Sequence, residues 1–205
     1  MSLPPCRAHI TSLSPMRRVS SLSLKLLRGT FQLHTKVTCS VGVSAYLGAA
    51  AAISNKDYLT AAASIVTVEA RHNTFLLGAN EGDPVPTAFD TPLGVNEVYT
   101  IASQFLASCP SSNPMLPFNA FTPLEVKGSA VVKPGQSLQV SMNVPDTDFA
   151  VILFGLKTTA VPLKGGWFTI PTDLMLDGQF YVVISKDGSI ADNMIVAGPA
   201  ILYAS

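Results

Sequence analysis

The first forty residues contain no aspartate and no glutamate. They hold six basic side chains: Arg7, Arg17, Arg18, Lys25, Arg28 and Lys36. The formal net charge of the 205-residue chain is nevertheless zero, because the remainder sets seven basic groups against thirteen acidic ones. Two charge regimes in one chain point to two segments of different origin or purpose. The overall balance gives no electrostatic case for a nucleic acid or an anionic membrane as a partner. Charged residues are scarce, at 13%, and hydrophobic residues make up 48%. That composition excludes wholesale disorder and allows a packed core. Cysteine is also scarce: Cys6, Cys39 and Cys109 are all there are. An odd count gives no closed disulfide framework, and no CxxC pair signals zinc. No apolar run reaches the length of about eighteen residues that a membrane span needs. The best apolar stretch near the amino terminus, residues 19–27, is broken by serines and Lys25, which makes a poor secretory signal.

The acid-free, serine-rich composition of residues 1–40 is that of an organelle transit peptide, but a segment with no fold, set ahead of the true start, fits better. Pro4, Pro5 and Pro15 interrupt it, and its apolar residues keep no period. Disorder is the expectation there. His9 and His34 have no partner at ligand spacing and are read as incidental.

Helical patterning begins at residue 41. Residues 41–53 are small, apolar and uncharged, as in a helix covered on most sides. Asn55 is placed as an N-cap, with Asp57 in the first turn where the helix dipole favours a negative charge. The next helix is predicted over residues 56–77. Leu59, Ala62, Ala63, Ile65 and Val66 define its apolar face. Glu69 continues that face, and His72 follows three residues later, so both are expected to point inward. Gly78, Gly82 and three prolines, Pro84, Pro86 and Pro92, end the helix and impose an extended loop. A third helix is predicted over residues 94–107, with Val98, Ile101, Ala102, Phe105 and Leu106 as its buried stripe. Glu97 need not lie on that stripe; Arg71 is read as solvent-facing, or as a partner of a carboxylate such as Glu97 if the third helix packs there.

Beyond residue 120 the period changes to two. Leu138, Val140, Met142 and Val144 alternate with polar residues. Residues 149–156 form a near-continuous apolar run, as in a strand buried on both faces. Six or seven short strands with Gly, Pro and Asp punctuation suggest a small β-sandwich. Lys164-Gly165-Gly166 is read as a hairpin turn rather than a phosphate cradle, and Trp167 as core or sheet surface. His72 is the only histidine after residue 40, and no Gly-x-Ser-x-Gly elbow accompanies it, so the reading leans away from an enzyme.

Several strings are familiar in order and spacing. They are residues 42–50 (GVSAYLGAA), 58–72 (YLTAAASIVTVEARH), 89–93 (FDTPL), 96–105 (NEVYTIASQF) and 108–114 (SCPSSNP). Asp192-Asn193 and residues 196–202 complete the set. Together they resemble the ferritin-like domain of fungal secreted proteins of the stress-response type. The resemblance covers residues 41–203.

Taken with the strand pattern, it gives an α+β, two-part fold: a partial ferritin-like helical bundle over 41–107, a linker over 108–119, and a small antiparallel β-sandwich over 120–205. It also implies a metal role. A paired-metal site in a four-helix bundle takes a Glu from each of two helices and Glu-x-x-His from each of the other two. Residues three apart project side by side, so one carboxylate and one imidazole grip the same ion. Glu69 and His72 match one such pair.

The departures are as informative. Nothing corresponds to the first two bundle helices, and where the family carries a further Glu this chain reads Thr38-Cys39-Ser40. The expectation is therefore an amino-terminally truncated relative, with the family's secretion signal lost. Iron or manganese belongs to the family, with none expected in this chain. Cys109 is expected as a free thiol, with Cys39 an unsupported partner. An Ala-rich helix pair without its covering helices is expected to self-associate. The alternative is a structural or cell-surface module built on the β-sandwich.

Overall fold

The computed structural model describes residues 7–8, 39–79 and 83–204. Helix α1 covers residues 39–49 and runs into a 3-10 turn, Ala50–Ala52. Helix α2 is Lys56–Ala79 and α3 is Val95–Ser103. The strands are β1 (Arg7–Ala8), β2 (Leu106–Ser108), β3 (Val126–Lys127), β4 (Val131–Val132) and β5 (Ser137–Val140). They continue with β6 (Phe149–Phe154), β7 (Lys157–Pro162), β8 (Trp167–Thr169), β9 (Gly178–Ser185) and β10 (Ile195–Ala204). A helical part therefore precedes a β part.

The β part is organised around a five-stranded sheet, in the order β4-β10-β9-β6-β7. Its pairings are antiparallel except for β4 with β10. Because successive strand side chains point to opposite faces, β6 and β9 each divide their apolar residues between two cores. Ala150, Ile152, Phe180, Val182 and Ile184 face the three-stranded sheet β3-β5-β8, meeting Leu138, Val140 and Phe168. Val151, Leu153, Tyr181 and Val183 face the other way, toward Val41, Leu93 and Ile101 of the helical part. The five-stranded sheet is thus a middle layer, which is why residues 149–154 carry no polar alternation. Each fully buried Val, Leu, Ile or Phe among them contributes about 1.5–3 kcal/mol.

Local signals in the sequence match the turns. Trp167 and Lys164 exchange backbone hydrogen bonds across Gly165 and Gly166, both at positive φ, as a tight hairpin requires. Trp167 itself lies half exposed on the sheet surface. Asn55 caps α2: its Oδ1 accepts from the amides of Asp57 at 2.8 Å and Tyr58 at 3.2 Å.

Other expectations need correcting. The third helix stops at Ser103 rather than at 107, because residues 106–108 pair antiparallel with β1. That pairing brings the amino-terminal strand beside Cys109, which is disulfide-bonded rather than a free thiol. Cys39 is free and is not its partner. Within the basic segment, residues 7–8 form a strand and 39–40 are helical; the expectation of disorder for the rest lies outside the described residues. Arg71 is solvent-facing, the first of its two readings; Glu97 lies elsewhere. It is buried, 2% exposed, and turns back over Gly94 at the start of α3. Burial raises the pKa of its carboxyl and the charge of Asp192 adds to this, while the backbone amides of Glu97 and Gly94 pull it down. Among the described residues, no helix is long and apolar enough to cross a membrane.

Candidate metal centre

Helices α1 and α2 form an antiparallel hairpin, joined by the short stretch around Ser54. Ser40 Oγ donates to Asn73 Oδ1 at 2.9 Å, which sets the register of the two helices. Further along α1, Val41 and Val43 are buried, and Ser44 Oγ shares a 2.9 Å hydrogen bond with the Tyr181 hydroxyl of β9. Helix α1 therefore lies on the sheet, and α2 lies on α1. A cavity of about 130 Å³ remains where the helix pair meets the loop before α3 and the sheet. Ser40, Asn73, Asp90, Gln179 and Tyr181 are among its lining residues. Within it Gln179 Nε2 donates to the Tyr181 oxygen at 2.8 Å, and the Tyr203 hydroxyl donates to Gln179 Oε1 at 2.9 Å.

The register of the hairpin sets Cys39 of α1 against Glu69 and His72 of α2. One ligand atom from each residue lies within 4.8 Å of the other two. Gly42, one turn after Cys39, leaves room for the Glu69 carboxylate: a Cβ at that position would sit 3.2 Å from Glu69 Oε2 and 3.3 Å from its Cδ. Burial raises the pKa of the Cys39 thiol, and the negative charge of the neighbouring Glu69 raises it further. Cys39 and Glu69 are partly buried and His72 is exposed.

The sequence brought Glu69 and His72 together correctly, one turn apart on one helix. It placed them too deep, however, because His72 faces solvent. It also missed Cys39 as the third member of the cluster. Twenty-nine residues separate Cys39 from Glu69 in the closest pairing, and no spacing rule spans a helix hairpin of unknown register.

Residues 28–80 match the family model of the ferritin-like domain. The match covers about a quarter of the chain and contains all three residues of the cluster. It begins ahead of residue 41, so the similarity includes part of the basic segment. The sequence has no match among curated proteins.

A paired-metal carboxylate centre requires four carboxylates and two imidazoles. The cluster offers one carboxylate, one imidazole and one thiol, so these residues do not fit that centre. They do fit a single divalent ion held by three protein ligands.

Proposed function

We propose that this protein is a metal-binding member of the ferritin-like class, which grips one divalent transition-metal ion between α1 and α2 through Cys39, Glu69 and His72. The observation that carries the reading is the convergence of three ligand-type side chains from two helices within 4.8 Å, inside the segment that matches the ferritin-like domain. Three ligands give the chelation that a lone Glu-x-x-His pair lacks. The ordered strings along residues 41–203 support the narrower reading, a fungal secreted or cell-surface protein of the stress-response type with a β-sandwich as its second part. In the test, full-length protein is dialysed against divalent metal and its bound metal measured. Glu69→Ala and His72→Ala are each expected to lower affinity by more than about tenfold, with the fold intact because both side chains are at least partly exposed. Unchanged affinity in both variants would sink the proposal.

The partner we propose is a second copy of the chain, docked on α2. Only Ala62 of this 24-residue helix is buried. Tyr58, Ala61, Ile65, Val68, His72 and Phe75 recur at alternating spacings of three and four, the seam of a helix pair. All six are exposed; Tyr58 is 72% and Phe75 74% accessible. Asp57 and Arg71 flank this seam fourteen residues apart. An antiparallel pairing of two copies sets each Asp57 against the other's Arg71 and packs Ile65 on Ala61. Sedimentation velocity at micromolar concentration is expected to show a dimer, and Ile65→Asp to return a folded monomer. A wild-type chain that stays monomeric contradicts this.

A further inference from the structure

We infer that the Cys39–Glu69–His72 cluster selects a single borderline divalent ion of the zinc class through a metal–sulfur bond, rather than the iron or manganese suited to carboxylate-rich bundles. This rests on the metal-binding reading above and specifies its ligand chemistry.

The donor set carries the first part of the case. Manganese and iron(II) sites favour carboxylate oxygen, whereas thiolate draws zinc and its neighbours. The cluster contributes one sulfur, one nitrogen and one carboxylate oxygen donor. Each comes from a different residue, so none has to bridge two ions.

Distance carries the second part. Around a tetrahedral zinc, with metal–ligand bonds of about 2.0–2.3 Å, neighbouring donors lie roughly 3.5 Å apart. The three donors here already lie within 4.8 Å of one another. The remaining gap is at most about an ångström, within the swing of a side-chain rotation. The backbones are already close, because Gly42 lets the Glu69 carboxylate rest against α1. Cys39 is free and available as a ligand.

Exposure carries the third part. In the single chain His72 is exposed at the solvent boundary, so there the fourth coordination position is open to water. Three protein ligands with an open fourth position is the arrangement that keeps a bound water exchangeable.

Cobalt(II) is the probe, because a cobalt–thiolate bond gives a charge-transfer band in the near ultraviolet that oxygen and nitrogen donors do not. Titration of the full chain with cobalt(II) is expected to produce that band, saturating at one ion per chain, and zinc is expected to displace it. Cys39→Ser should abolish the band and weaken zinc by more than about 100-fold, while changing manganese affinity little. Cobalt that binds without the band, or saturates at two ions per chain, overturns this inference and leaves metal binding standing. Absence of any bound metal overturns both. The wild-type band is decisive even if a variant fails to fold.

Discussion

Gly48→Ala is expected to destabilise the protein by about 3 kcal/mol, although it improves the intrinsic propensity of α1 by about 1 kcal/mol. A methyl group at Gly48 would overlap the backbone carbonyl of Leu93. That carbonyl cannot rotate away as a side-chain tip would. Leu93 is 2% exposed within the core between the sheet and the helices, and its amide donates to Ser44 O at 3.1 Å. Accommodating the methyl means lifting the strap before α3 off α1, which takes Leu93 out of its core. Gly78 provides the contrast on α2: there the nearest atom to an added Cβ is Pro84 Cβ at 3.8 Å, an ordinary contact. Gly78→Ala is expected to be neutral or to stabilise by up to about 1 kcal/mol. Urea denaturation of the two variants checks the sign of each. A Gly48→Ala protein as stable as wild type would mean that α1 is not held by the strap.

The second large effect lies at alkaline pH. Tyr181 is 1% exposed, and its pKa is pushed up to about 12. Burial is the main cause; the hydrogen bonds with Ser44 and Gln179 work against it, and the charge of Asp90 adds to it. The folded state thus holds this phenolic proton more tightly than the unfolded chain, whose tyrosine titrates near 10. Stability is fully present below pH 10 and is lost as pH rises toward 12, by about 3 kcal/mol in all. Tyr203, raised by its burial and by the charge of Tyr181, steepens the loss in the same direction. Denaturation midpoints between pH 8 and 12 should fall along this curve. Tyr181→Phe should flatten it while costing about 1 kcal/mol at neutral pH through the loss of its hydrogen-bond partners. A flat wild-type profile to pH 12 would show that this hydroxyl is hydrated rather than locked between helix and sheet.

How much of this was legible in the sequence depended on whether the signal was local. Leu138 and Val140, the 149–154 run, the Lys164-Gly165-Gly166 turn and the Asn55 cap each carry their structural reason within a few residues. Helix α2 shows where local reading fails. It has two apolar rows, one through Leu59, Ala62 and Val66, the other through Tyr58, Ile65 and Val68. Either row would satisfy a helical period, and only contact with α1 decides that the first is covered. Glu69 lies beside the covered row and His72 on the open one, so the pair straddles the edge instead of pointing inward. Glu97 was misjudged for a related reason: it lies off the apolar stripe, yet the amides at the start of α3 draw its carboxylate into a buried turn. Cys109 depends on a strand pairing between residues about a hundred positions apart, which no spacing rule reaches. Cys39 depends on the register of the hairpin, and with it the difference between a pair of candidate ligands and a cluster of three.

The most direct test of the account is the metal content of the full-length protein after equilibration with micromolar zinc and removal of the unbound ion. One zinc per chain, absent from the Cys39, Glu69 and His72 alanine variants, is the result predicted. A well-folded wild-type protein with no bound metal would contradict it.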